Sequence, residues 1–148
     1  MPAKGPKNNT NWRKRIFIIF SVLVSRIFIQ PMTYTPGLHM LATITTSRAD
    51  LLQHYAHWEA FMEQEIQAAG LTQVGRVLHD FPGGGFTAVL CLTESHISIH
   101  TWPEYGLCTC DVFLSNFRKN NDPITQHIMD RMLQFFESTQ HELQSIRR

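Results

Sequence analysis

The sequence predicts an α+β fold: a two-layer sandwich in which an antiparallel sheet carries two helices on one face, in the order β-α-β-β-β-β-α. Three observations carry that expectation. Two stretches, Leu51 to Ala69 and Ile124 to Ile146, repeat apolar residues at steps of three and four. Before and between them, runs rich in β-branched and aromatic residues are cut by turn residues. The chain has 148 residues, 43% of them hydrophobic and 17% charged, which is one domain's length with enough apolar residues for a core.

Residues 1–36 differ from the rest of the chain. A basic, Asn-rich start leads into the apolar run Ile16 to Val24, which Arg26 interrupts. That run is shorter than the ~20 residues a bilayer span needs. It has the flanks of a signal-peptide core, but no small-x-small cleavage site comes after it. Met32 offers an alternative translation start. Three readings stand: upstream sequence with no role in the fold, a membrane-proximal anchor, or an added helix.

The elements then come in order. Leu38 to Thr46 reads as a strand, and Ser47 with Asp50 as an N-cap and capping pair. Leu51, Tyr55, Trp58, Met62, Ile66 and Ala69 make the buried stripe of one helix, closed by Gly70 at C′. A strand from Thr72 to His79 precedes Phe81-Pro82-Gly83-Gly84-Gly85-Phe86. With no Lys-Ser/Thr and no helix after them, these glycines form a tight turn between strands, not a phosphate loop. Strands Phe86 to Thr93, His96 to Thr101 and Leu107 to Leu114 complete the sheet. Pro103 and Gly106 stop the middle one. Asp122 at N-cap and Pro123 at N1 open a second helix. Its stripe is Ile124, Ile128, Met132, Phe135, Phe136, Thr139, Leu143 and Ile146, with Arg147 and Arg148 suited to its negative end. The uncovered sheet face needs a partner, and a second copy is the simplest one.

Charge and cysteines narrow the function classes. The net charge of +1 hides an asymmetry: six of thirteen basic residues precede position 27, while the first acid is Asp50. Residues 37–148 carry seven basic and twelve acidic side chains, a net −5 that argues against nucleic-acid binding. Cys91, Cys108 and Cys110 lie in apolar strand-like runs without metal-site spacing. They read as reduced and buried, in a cytoplasmic protein.

The stretch that carries chemistry is Glu94-Ser95-His96-Ile97-Ser98-Ile99-His100-Thr101-Trp102-Pro103-Glu104-Tyr105-Gly106. This string closely resembles the self-processing site of the bacterial S-adenosylmethionine decarboxylases, whose cofactor is a pyruvoyl group made from an internal serine. The resemblance covers roughly residues 37–145. It places the domain's start just before the Gly37-Leu38-His39 strand, leaving 1–36 as an extension and 37–148 as the domain. It implies a homodimer with sheets facing, S-adenosylmethionine as substrate and spermidine synthesis as the destination of the product.

Amino-acid decarboxylation needs an electron sink, which a ketone forming a Schiff base with the substrate amine provides. From Gly37 onward the only lysine is Lys119, in a polar loop, so nothing looks like a pyridoxal-phosphate site. The resemblance assigns the pyruvoyl precursor to Ser95 and the scissile bond to Glu94–Ser95. It assigns the processing histidine to His100 and a processing hydroxyl to Thr87, where the family usually has serine. Phe81 matches an aromatic that stacks on adenine, and Glu104 a carboxylate that binds the ribose hydroxyls. All of these sit at family spacing around one junction. A serine–histidine hydrolase is the rival, but Ser95 is on no nucleophile elbow, and in a regular strand Ser95 and His100 face opposite sides. His96 and His100 would suit a metal only on a helix.

One departure stands out. The family pattern Asp-Val-Phe-Thr-Cys-Gly is here Asp111-Val112-Phe113-Leu114-Ser115-Asn116. Ser115 thus holds the position of the family's proton-donor cysteine. A thiol has a pKa of about 8.5, and a serine hydroxyl is a far weaker acid. Cys108 and Cys110 lie on the face opposite Asp111, Phe113 and Ser115 by strand alternation. Asn116 in place of glycine points to a rebuilt loop. Besides S-adenosylmethionine decarboxylation, the sequence leaves open a pyruvoyl decarboxylase of arginine or ornithine, and a catalytically impaired regulatory homologue.

Overall fold

The computed structural model describes Met1 and residues 34–148. The basic start, the apolar run and Met32 lie outside the described residues.

The described chain is an α+β sandwich built on one six-stranded sheet. Its elements are β1 (Leu38–Thr45), a short helix α1 (Asp50–Gln53), α2 (Tyr55–Ala68), β2 (Gln73–Asp80), β3 (Phe86–Leu92), β4 (Ser95–Trp102), a 3₁₀ turn (Pro103–Tyr105), β5 (Leu107–Leu114), α3 (Asp122–Phe135) and β6 (Gln140–Arg147). The strands lie in the order β2-β3-β4-β5-β1-β6, and every neighbouring pair is antiparallel. Helix α3 lies over β1 and β5, and α2 over β2 and β3.

Strand alternation sorts the side chains. Met40, Ala42 and Ile44 of β1, Ala88 and Leu90 of β3, Ile97 and Ile99 of β4, and Cys108, Cys110 and Val112 of β5 meet the helices in one core. Trp58 and Met62 of α2, Met129 and Met132 of α3, and Phe136 just beyond it fill that core from the other layer. Burying each such side chain contributes roughly 1.5–3 kcal/mol. The opposite sheet face carries His39, His96, His100, Thr87, Thr109, Asp111 and Phe113, with no helix over it among the described residues; the registers place them on one side.

The first predicted helix is two. His54 is extended, with φ −138° and ψ 142°, and splits the stripe. Ser47 is not an N-cap: α1 begins at Asp50 with no side-chain cap. The longer helix takes its cap from a strand, since the Tyr55 N–H donates to Asp80 Oδ1 at 2.9 Å. A carboxylate there also complements the helix dipole. Gly70 has the expected left-handed backbone, φ +62°.

The second helix is shorter than its stripe implied. It ends at Phe135, and residues 140–147 form β6 along the outer edge of β1. Glu137, at φ 46°, turns the chain out of the helix, and the Thr139 N–H donates to the Thr45 carbonyl at 2.9 Å. The apolar positions Leu143 and Ile146, which fit a helix period by spacing alone, are 40% and 49% exposed on an edge strand. Arg147 and Arg148 do not sit at a helix end. Arg147 pairs with Asp122, and the Arg148 guanidinium lies 4.3 Å from the Phe113 ring centre. Asp122 is the first residue of the helix, not its N-cap. Burial pushes its carboxyl up, but bonds from Arg147, Asn116 and the Leu38 N–H outweigh that and hold it below the usual range.

Candidate active site

Glu94 and Ser95 sit where β3 turns into β4. Leu92 and Ser95 are directly paired, so the connection is a two-residue turn, Thr93-Glu94. Ser95 has φ 148°, a region that residues with a Cβ rarely adopt. The Glu94 carbonyl, the one belonging to the predicted scissile bond, accepts a hydrogen bond from the Ser115 N–H at 2.8 Å.

Ser115 is held there from several sides. Its carbonyl accepts from Asn121 Nδ2 at 2.7 Å. The Asn121 N–H donates to Asn116 Oδ1 at 2.8 Å, and Asn116 Nδ2 donates to Asp122 Oδ1 at 3.0 Å. The loop that lacks the family glycine is therefore cinched by two asparagines and an aspartate. Gly37 packs behind it: a Cβ there would collide with the Leu114 carbonyl oxygen and lie 3.2 Å from Ser115 Cα. The loop and the turn line a cleft of about 710 Å³ that includes Glu94, Ser115, Arg118 and Lys119.

A second group lies at the other end of β4. Thr87 and His100 face each other across β3 and β4, with Thr87 Oγ1 2.7 Å from His100 Nδ1. Phe81, His100, Trp102 and Glu104 line a cleft of about 290 Å³. His79 meets Phe81 edge-on, with ring centres 5.0 Å apart.

The site residues therefore do not surround one junction within the chain. Glu94, Ser95 and Ser115 form one group; Phe81, Thr87, His100 and Glu104 form another. Five strand steps separate Ser95 from His100, ~16 Å along β4. Ser95 pairs with the core-side residues Leu92 and Leu114, whereas His100 pairs with Thr87 and Thr109 on the open face. Spacing alone puts Ser95 and His100 on opposite faces of a regular strand, and the registers add which neighbours each one meets.

Of the cysteines, Cys108 and Cys110 are buried as expected, and Cys91 is exposed on the open face, against expectation. Burial pushes the Cys108 thiol up to about 12, and pushes Cys110 well above the ordinary thiol range. Neither supplies an acid to the Ser115 side of the sheet.

The sequence offered His96 only as a metal ligand with His100, a reading a strand does not suit. His96 Nδ1 lies 3.1 Å from Ser95 Oγ. Alternation sends adjacent strand residues to opposite faces, so only the unusual backbone at Ser95 makes this pairing visible.

Residues 38–148 match the family model described as S-adenosylmethionine decarboxylase. The S-adenosylmethionine decarboxylase proenzyme of Persephonella marina is 35% identical over 98 residues, spanning 66% of this chain and 74% of that protein. The proenzyme of Aquifex aeolicus is 42% identical over 82 residues, 55% of this chain and 61% of its own. The crystal structure of the adenosylmethionine decarboxylase from Aquifex aeolicus has a TM-score of 0.70 at 31% identity, covering 78% of this chain and 92% of that one. The fold and these likenesses define the class, an α+β carboxy-lyase. The chain belongs to the S-adenosylmethionine decarboxylase family. Among the described residues no helix is long and apolar enough to cross a membrane.

Proposed function

We propose that this chain cuts itself between Glu94 and Ser95, converts Ser95 to a pyruvoyl group, and decarboxylates S-adenosylmethionine to the aminopropyl donor for spermidine. The observation that carries the reading is the Ser115 N–H bonded to the Glu94 carbonyl beside a strained Ser95. A donor aimed at that oxygen stabilises the charge that develops there when the carbonyl is attacked. The residues fit the group: a hydroxyl and a polarised carbonyl on a half-buried turn. A pyruvoyl ketone held at position 95 would supply the electron sink that amino-acid decarboxylation needs.

The chain's own side chains do the rest. Phe81, 45% exposed, offers a face for an adenine ring, and Glu104 in the same cleft offers a carboxylate to vicinal hydroxyls. That pairing favours a nucleoside substrate over arginine or ornithine. Arg118 and Lys119 give the cleft beside Ser115 a charge suited to a carboxylate. Because His100 stands ~16 Å from Ser95 in its own chain, a second copy with its open face against the first completes the site. In that homodimer, Phe81, Thr87, His100 and Glu104 of one copy serve Ser95 of the other. Ser115 supplies the proton to the substrate carbon in place of a thiol.

Intact mass tests the reading. The purified chain yields fragments 1–94 and 95–148, and Ser95→Ala stays whole with its fold retained. Cyanoborohydride then fixes S-adenosylmethionine to fragment 95–148, with arginine and ornithine as controls. A single full-length species after long incubation refutes self-processing; capture of arginine or ornithine alone moves the substrate assignment.

A further inference from the structure

We propose that His96 is the base that takes the Ser95 hydroxyl proton as Ser95 attacks the Glu94 carbonyl. This rests on the reading that the Glu94–Ser95 bond is self-cleaved, and it divides the processing chemistry between two histidines.

A serine hydroxyl is a weak nucleophile without an adjacent base, and a base must first be within hydrogen-bond reach. His96 Nδ1 meets that requirement at 3.1 Å from Ser95 Oγ. Within its own chain His100 does not: it lies ~16 Å along the strand, and its Nδ1, in either copy, is bonded to Thr87. The Glu94 carboxylate already accepts the Thr93 hydroxyl at 2.5 Å. The His96 ring is itself held in place. Phe113 lies 6.2 Å from it edge-on, and His39 lies 6.1 Å from it, also edge-on.

The step balances as an isomerisation. The bond from Ser95 Oγ to the Glu94 carbonyl carbon forms as the Oγ proton passes to His96 Nδ1. The carbonyl electron pair moves onto the Glu94 oxygen, which the Ser115 N–H already holds. Collapse restores that carbonyl, breaks the bond to the Ser95 nitrogen and returns the proton from His96 to that nitrogen. The product is an ester with a free Ser95 amine. Loss of the ester by elimination is a separate step, left to His100.

Hydroxylamine cleaves the ester and reports its formation apart from elimination. In the full chain, His96→Gln slows formation of hydroxylamine-labile ester roughly 100-fold, with circular dichroism and melting temperature unchanged; His96→Asn is a second variant of different reach. His100→Ala instead accumulates the ester. A second comparison separates base from scaffold. In a Ser95→Cys background the thiol ionises by itself near pH ~8.5, so the His96→Gln penalty shrinks there to under about 10-fold. Normal ester formation in folded His96→Gln overturns the proposal, as does an equal penalty in both backgrounds. An unmutated chain that gives neither ester nor fragments overturns the self-cleavage reading beneath it.

Discussion

Thr87 Oγ1 and His100 Nδ1 stand 2.7 Å apart on directly paired positions of β3 and β4. The contact fixes one imidazole nitrogen and leaves the other, Nε2, directed away from it. A hydroxyl at position 87 is thus tied to the histidine by sheet register, not by a flexible loop.

Removing that hydroxyl isolates its effect. Thr87→Val keeps the volume and deletes the bond, so elimination slows and the ester persists; Thr87→Ser restores normal processing. Hydroxylamine trapping over a time course distinguishes the two. Equal rates in Thr87→Val and the unmutated chain would remove Thr87 from the machinery.

On the proposed function, Ser115 bears on turnover as well as on cleavage. Its N–H serves the Glu94 carbonyl whatever the side chain, so Ser115→Cys processes normally. A thiol is the stronger acid, and general acid catalysis contributes about 10²–10⁴-fold. The variant therefore decarboxylates faster and stays active longer, because misplaced protonation that converts the cofactor to an amine becomes rarer. Carbon dioxide release over a long time course measures both.

Gly37→Ala tests the packing behind that N–H. The added Cβ would run into the Leu114 carbonyl oxygen, and overpacking of this kind costs about 1–3 kcal/mol. Urea unfolding shows the loss. Cleavage slows as well, since the shifted residue is the neighbour of the one that holds the Glu94 carbonyl.

His39 sets a pH dependence of stability. It is buried, with no partner for Nε2 among the described residues. Burial, then the Arg148 charge, lowers its pKa below the ordinary 6.5. The unfolded chain then binds this proton more readily than the folded one. Its contribution is constant above the ordinary pKa and is lost as pH falls from about 6.5 through the lower folded value. Thermal melts between neutral and mildly acidic pH show the fall, and His39→Gln flattens that part of the profile.

Much of the fold was legible because alternation and turn chemistry are local. Strands β1 to β5, the stripe through Trp58, Met62 and Ile66, and the turn at Phe81 to Gly85 are set by neighbours in sequence. The sixth strand was not. Leu143 and Ile146 fit helical spacing as well as strand spacing, and only pairing with β1, a hundred residues away, decides between them. The site shows the same division. Resemblance to the family's motif, not residue type alone, singles out Ser95, His100, Phe81, Glu104, Thr87 and Ser115. Their separation into two groups depends on which end of β4 each occupies. The Ser95–His96 pairing depends on one dihedral angle that no pattern encodes.

The strand order has a consequence for the cut molecule. A cut between Glu94 and Ser95 would leave β1, β2 and β3 in the first fragment and β4, β5 and β6 in the second. In the order β2-β3-β4-β5-β1-β6, the first fragment's β1 is clasped between two strands of the second. The pieces are interwoven, so breaking the backbone at the turn releases a tether without separating them. Unfolding does separate them, and reassembly must then bring two chains together, which makes the stability of the processed form depend on concentration. Cleavage at the proposed bond would thereby turn a fold that one chain could recover alone into one that needs both pieces to meet.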